Sequence, residues 1–299
     1  MKKPMIKNVA ITLKPNSTPD FYHLLPNLCT WLIRRKRTVI FRAEDKERIQ
    51  KFFKQKIPEG FQFLEEKKFH NEPDIMLSLG GDGTLIGVCR RINSKIPVLG
   101  INLGRLGFIT EFNKHEYFDL LGDILEGKYE VTQKLLYHVC VKRKGKIQFK
   151  DYFFNDAVLG KTDIARMIYL RAESHDEHIY NLAGDGIIVS SPMGSTAYSM
   201  AAGGPIVHPE VKALILTPIC PHSLNHRPFV VPDSFPIKFK IIPPHHTAVT
   251  LTLDGQVAVA VDDQDEVVIN ESRPKKVFLI KNPSRLFFQT LKDKFISEK

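Results

Sequence analysis

The chain has 299 residues, of which 43% are apolar and 25% charged, and a formal net charge of +10. That length exceeds one comfortable hydrophobic core, so two domains of a water-soluble globular protein are expected. The longest charge-free stretch, residues 186–209, is too rich in Gly, Ser and Pro to be a membrane helix.

The N-terminus reads Met1-Lys2-Lys3, but Pro4 and Lys7 follow, and the apolar run at residues 9–13 is too short for the core of a signal peptide. It reads as a first strand, and a cytoplasmic location is expected. A helix follows at residues 21–35, starting near Asp20, then a β-branched strand at 38–41. The spacing of Ile49, Phe52 and Phe53 predicts a helix over 45–56. Next come a strand at 74–79, a helix at 84–93 and a strand at 98–101. This alternation predicts an α/β domain with a mostly parallel sheet over residues 1–130, closed by a helix near 115–126. From residue 131 to 279, short runs rich in Val, Ile, Phe and Tyr are separated by polar turns at 142–146, 174–178 and 262–265. That pattern predicts a second, all-β domain with antiparallel strands. A strand at 277–280 and a helix at 284–295 end the chain, and residues 280–299 are expected to return to the first domain.

Within the first domain, Ile75-Met76-Leu77-Ser78-Leu79 leads into Gly80-Gly81-Asp82-Gly83-Thr84. A strand that ends in glycines delivers the backbone close to a ligand, and the helix behind it presents free N–H groups to negative charge. A phosphate does not invite a carboxylate merely to bind it. Asp82 is better used to accept a proton from a hydroxyl attacking phosphorus, or to organise a metal ion. A plain turn, with Asp82 bonding its own backbone, is the competing reading. A second constellation lies at residues 185–205, where Asp185-Gly186 leads into Ser190-Ser191-Pro192-Met193-Gly194-Ser195-Thr196-Ala197-Tyr198-Ser199 and then Ala202-Gly203-Gly204-Pro205. Small residues interleaved with hydroxyls and one ring suit a wall that wraps a polar ligand closely.

Together these segments resemble the NAD kinase family, whose members use ATP or polyphosphate. Asn155-Asp156, the run Pro218-Ile219-Cys220-Pro221-His222-Ser223-Leu224, and Asp254-Gly255-Gln256 fit the same family in the same order. The Gly-Gly-Asp-Gly-Thr element alone is shared with diacylglycerol- and sphingosine-type lipid kinases. The resemblance implies phosphorylation of the 2′-hydroxyl of the adenosine ribose of NAD to give NADP, with Asp82 as the proton acceptor. Gly80, Gly81, Gly83 and Thr84 are then the donor-phosphate loop. The implied NAD contacts are Asp82, Gly83, Asn155, Asp156, Asp185, Thr196, Ala197, Tyr198, Ser199, Ala201 and Gln256, with Gln256 and the position of Cys220 the weaker carry-overs. A divalent metal, Mg²⁺ by chemistry, and ATP or polyphosphate are the implied cofactor and co-substrate. A homodimer or homotetramer is implied too. Two departures stand out: the family usually has Glu where this chain has Asp156, and some members carry Arg where this chain has Ala183.

Other residues take plainer readings. Cys29, Cys89, Cys140 and Cys220 are widely spaced, with no Cys-x-x-Cys pair, and read as buried free thiols. His175-Asp176-Glu177-His178 reads as a turn rather than a metal site, because four consecutive side chains diverge. His245-His246 reads as an exposed loop, His222 as a buried hydrogen-bonded histidine, and Arg90 and Arg91 as a solvated helix face. The basic clusters at 34–37 and 142–146 lack interleaved aromatics, so neither nucleic acid nor a membrane is expected as a partner. A lipid kinase and a catalytically silent dinucleotide sensor remain as rival functions at this stage.

Overall fold

β1 (Asn8–Leu13) opens the chain in the computed structural model, which describes residues 4–54, 56–104, 107–162, 166–243, 248–270 and 274–296. Helix α1 (Asp20–Arg34) buries Phe21, Leu25, Leu28, Cys29 and Leu32, one stripe at helical spacing. β2 (Thr38–Arg42) follows, then a 3₁₀ turn and α2 (Lys46–Phe52). That helix is shorter than the expected 45–56. The chain leaves it at Phe53, and Lys54 takes a left-handed φ of 51°. β3 (Phe61–Leu64) and the single turn α3 (Glu66–Phe69) are absent from the sequence reading. β4 (Ile75–Leu79), α4 (Asp82–Arg91), β5 (Pro97–Asn102), the two-residue β6 (Phe112–Asn113) and α5 (Tyr117–Leu125) complete the alternation.

β3, β2, β1, β4 and β5 lie side by side in that order, all parallel, with β6 beside β5. β4 and β5 are buried at every position, as central strands covered on both faces must be. The order grows outward from β1 in two directions, so the connection reverses between β1 and β4. Ligands of open parallel sheets bind at such a reversal, beyond the carboxyl ends of the strands. The registers Leu13↔Leu79 and Leu79↔Ile101 bring Lys14, Gly80 and Asn102 to that one edge.

The second part is antiparallel. β7 (Val131–Arg143) and β8 (Lys146–Phe153) turn at Lys144-Gly145, both left-handed. β9 (Asp156–Lys161), β10 (Ile168–Ser174) and β11 (Glu177–Gly184) follow, with His175 and Asp176 as the left-handed turn between β10 and β11. β12 (Gly186–Ser190) leads through a 3₁₀ turn into the one-turn α6 (Tyr198–Ala201). β13 (Ala213–Ile219), β14 (Phe229–Pro232), β15 (Ile237–Ile241), β16 (Val249–Leu253), β17 (Val257–Val261) and β18 (Asp265–Ile269) make up the rest. One sheet runs β11-β10-β15-β18-β7 with β8 on β7, and the other runs β14-β13-β12-β9-β16-β17. Alternate inward residues of both, among them Val139, Leu170, Phe239, Leu159, Ile187, Leu216 and Leu251, form one buried core.

The chain ends with β19 (Lys275–Ile280), parallel to β5 at Phe278↔Pro97, and with α7 (Phe287–Leu291) and one wider turn to Ile296. The helix expected from residue 284 starts only at Phe287, because Leu286 is extended. The residues group into two compact units, Met1–Lys134 with Lys276–Lys299, and Leu135–Lys275. No helix among the described residues is long and apolar enough to cross a membrane.

Candidate active site

In the first unit the decisive side chain is Asp82. The helix expected to start at Thr84 starts two residues earlier, so Asp82, Gly83 and Thr84 form its first turn and only Gly80 and Gly81 remain as the link from β4. A carboxylate in a first helical turn sits favourably in the field of the helix. Gly80 is required by space: a Cβ there would collide with the Thr84 side chain. The Asp82 carboxylate turns toward residues 108–110. Its Oδ2 accepts the Phe108 N–H at 2.8 Å. Its Oδ1 accepts the N–H groups of Ile109 (3.3 Å) and Thr110 (2.9 Å) and the Thr110 hydroxyl (2.7 Å). Asn102 at the end of β5 extends the chain of bonds, donating from Nδ2 to the Thr110 hydroxyl at 2.9 Å and accepting the Gly104 N–H at Oδ1. Among the described residues Oδ2 therefore carries one bond and keeps a lone pair for an incoming hydroxyl. Gly107 packs onto this carboxylate so closely that a Cβ would overlap it.

The second unit builds a different surface on its six-stranded sheet. The pairs Ser190↔Asp156 and Leu253↔Ala157 align the start of β9 with the ends of β12 and β16. Asn155 and Asp156 stand at that edge. The Asn155 carbonyl accepts the Ser191 N–H at 2.8 Å, and a Cβ on Gly194 would overlap the Asn155 backbone, so the 3₁₀ turn lies directly against it. The Asn155 Oδ1 is buried and has no hydrogen-bond partner among the described residues. An orphaned buried acceptor of this kind is costly unless something donates to it. Asp156 is 6% exposed, and its carboxyl is pushed up to about 7, first by burial and then by the charge of Asp254. Beyond the 3₁₀ turn, Thr196 and Ala197 are half-buried, Tyr198 presents a ring that is 48% exposed, and Ser199 bonds Thr217 on β13 at 2.8 Å. This keeps α6 on the sheet, with Ala201 exposed.

Not every candidate joins that cluster. Asp185 precedes β12 and pairs with Lys161 at 2.7 Å, at the opposite strand end from Asp156, roughly 17 Å away at the rise of an antiparallel strand. Gln256 is exposed in the β16–β17 turn. Cys29, Cys89 and Cys140 are buried, but Cys220, expected to be, is exposed just past the end of β13 with a φ of 43°. His222 is likewise exposed rather than buried, and its backbone N–H donates to the Ala183 carbonyl at 2.8 Å. Arg91 pairs with Glu66 on the surface, and His245-His246 lie outside the described residues.

The ATP-NAD kinase N-terminal domain matches residues 9–129 and the ATP-NAD kinase C-terminal domain matches residues 154–281. An NAD kinase of Aquifex aeolicus (strain VF5) is 38% identical over 247 residues, covering 82% of this chain and 87% of its own. The chain belongs to the NAD kinase family. An NAD kinase of Solibacter usitatus (strain Ellin6076) extends the match to 97% of this chain and 98% of its own, at 36% identity. Among solved structures, yeast NADH kinase complexed with NADH superposes with a TM-score of 0.86 at 26% identity, covering 99% of this chain and 89% of that one. An NAD kinase from Archaeoglobus fulgidus, at 23% identity and a TM-score of 0.71, shares the fold.

In this member of the NAD kinase family the partners of the acidic residue lie outside the motif that marks it: Gly107, Phe108, Ile109 and Thr110 surround Asp82, and Asn102 bonds Thr110. The signal was present: Asn102-Leu103-Gly104 and Gly107 follow a second fully buried strand, repeating the strand-then-glycine pattern of Gly80-Gly81. In sequence Asp254 stands out only as part of the tripeptide Asp254-Gly255-Gln256. Its three neighbours in space, residues 154–156, lie about a hundred positions away.

Proposed function

We propose that this protein transfers a phosphoryl group from ATP or inorganic polyphosphate to the 2′-hydroxyl of the adenosine ribose of NAD, giving NADP. The observation that carries the reading is the Asp82 carboxylate in the first turn of α4, fixed among the described residues by four hydrogen bonds that leave one lone pair of Oδ2 for a hydroxyl. A ribose hydroxyl is a weak nucleophile. Oδ2 accepts its proton as the new O–P bond forms and the P–O bond to the leaving phosphate breaks. Gly80, Gly81, Gly83 and Thr84 border the donor phosphates, where the free N–H groups of α4 counter their charge. Asn155, Asp156, Asp185, Thr196, Ala197, Tyr198, Ser199, Ala201 and Gln256 contact the dinucleotide. The NADH bound to the yeast relative supports a ligand of that type.

Among the described residues no three His, Cys, Asp or Glu side chains converge on a point that could hold a metal ion. Mg²⁺ is therefore taken as part of the donor substrate, bound by its phosphates, and no protein ligand is assigned to it. Its chemistry there is neutralisation of the transferring group's charge. The enzyme is read as a cytoplasmic homodimer or homotetramer that engages neither nucleic acid nor membrane.

The test is incubation of the protein with NAD, Mg²⁺ and either ATP or polyphosphate, with NADP read by an NADP-specific dehydrogenase. Wild-type protein makes NADP. Asp82→Asn loses at least about a hundredfold in kcat, the scale of a general base, while still binding NAD. An absence of NADP with both donors overturns the reading. Equal turnover by Asp82→Asn removes that residue from its role.

A further inference from the structure

We propose that Asp254 is a positioning residue for the pair Asn155–Asp156, setting the affinity for the dinucleotide without touching it. The inference rests on the reading that this pair contacts NAD. Asp254 stands in the turn between β16 and β17, and the β16–β9 register places it beside Asp156. Its carboxylate crosses to the neighbouring strand and accepts three successive backbone N–H groups. These are Phe154 at 3.0 and 3.1 Å, Asn155 at 2.7 Å and Asp156 at 3.2 Å. In return, the Asp254 N–H donates to the Asp156 carbonyl at 2.9 Å. The chain between β8 and β9 is thereby held from one side by Asp254. It is held from the other by residue 191, whose N–H reaches the Asn155 carbonyl and whose hydroxyl reaches the Phe154 carbonyl at 2.6 Å.

The hairpin alone does not call for this side chain. Asp254 and Gly255 have φ of 51° and 63°, a left-handed pair that Gly or Asn would satisfy equally well. What only a carboxylate supplies is a charged acceptor for several N–H groups at once. Successive N–H groups converging in this way fix the φ and ψ of residues 154–156, and so the direction in which the Asn155 amide and the Asp156 carboxyl point. Asn155 makes the consequence concrete, because its buried Oδ1 lacks a partner among the described residues and is open to a donor from a ligand.

Asp254→Gly is the discriminating variant, since it preserves the left-handed turn and deletes only the carboxylate. Measured on the full chain, the KM for NAD and the calorimetric Kd for NAD rise about tenfold or more, equivalent to roughly 1.4 kcal/mol. The KM for ATP stays within about twofold and kcat within about threefold, the pattern of lost ground-state binding. Asp254→Asn, which keeps one acceptor oxygen, recovers part of the loss. In an Asn155→Ala background the same Asp254→Gly change has little further effect on NAD affinity, because the two act on one contact. Should Asp254→Gly fail to melt cooperatively, Asp254→Asn carries the same readouts. NAD affinity equal to wild type in a folded variant overturns the proposal. So does a reduced active fraction with unchanged KM, or full additivity with Asn155→Ala. A wild type that binds NAD but makes no NADP sinks the kinase reading alone, and the calorimetric comparison still decides the role of Asp254.

Discussion

Asp156 is folded into a place where its charge is disfavoured, by burial first and by the neighbouring Asp254 second, so its carboxyl titrates near 7. An unfolded Asp titrates near about 4. Between those limits the native state holds a proton that the unfolded chain has released, and stability falls as the pH rises. The contribution is complete below about pH 4 and lost as the pH passes about 7, an effect of the order of 2–4 kcal/mol. Asp156→Asn removes the titration. Its melting temperature relative to wild type is therefore expected to climb between about pH 5 and about pH 8, by calorimetry at fixed ionic strength. A constant difference across that range refutes the burial argument. Thr110 offers a second test at this scale. Thr110→Val deletes the hydroxyl that bridges Asn102 and Asp82 while leaving the backbone N–H in place. A hydrogen bond to a charged group is typically worth about 1.5–3 kcal/mol, so kcat drops about ten- to hundredfold with little change in the KM for NAD. A raised KM with intact kcat assigns Thr110 to binding instead.

Elements built from long, strongly patterned runs were legible in the sequence, and contacts built from backbone atoms were not. β4 and β5 read as strands from their short apolar runs at 74–79 and 98–101, and the structure buries them at every position. The first turn of α4 was misplaced by two residues, because Gly81 at its N-cap carries no side chain to announce the start. Most of the Asp82 cradle was illegible for a deeper reason. Among the described residues three of its four bonds come from main-chain N–H groups, which every non-proline residue possesses, so only the fold reveals which ones converge. The Asp254 contacts hide in the same way behind the register of β9 and β16. The element spanning residues 107–111 is itself held from behind. Asn282 donates its N–H to Glu111 at 2.7 Å, and Phe295 stacks on Phe108 at 5.5 Å. Gly107→Ala tests the element directly. Its new methyl displaces the carboxylate, so kcat falls at least about tenfold, whereas a merely unfolded-state effect of Gly→Ala raises stability and spares turnover. Steady-state kinetics alongside a melting curve separate the two.

The whole chain carries a net charge of +10, and every substrate proposed for it is an anion. A surplus of this size draws negative ligands in from beyond contact distance, an attraction that weakens as the ionic strength rises. The exposed Arg34, Arg35 and Lys36 belong to this diffuse field rather than to the glycine link before α4. The field acts on charge and not on shape, so its effect must follow the charge of the ligand. NAD is less negative than ATP, and ATP less than a long polyphosphate. Raising the salt from about 0.05 M to about 0.5 M shortens the Debye length from about 14 Å to about 4 Å. The KM for polyphosphate should then rise most, that for ATP less and that for NAD least, with kcat nearly constant. Equal increases for all three mean that the net charge steers nothing. The work of holding the donor then falls to the short-range N–H groups at the start of α4, which bulk salt screens far less.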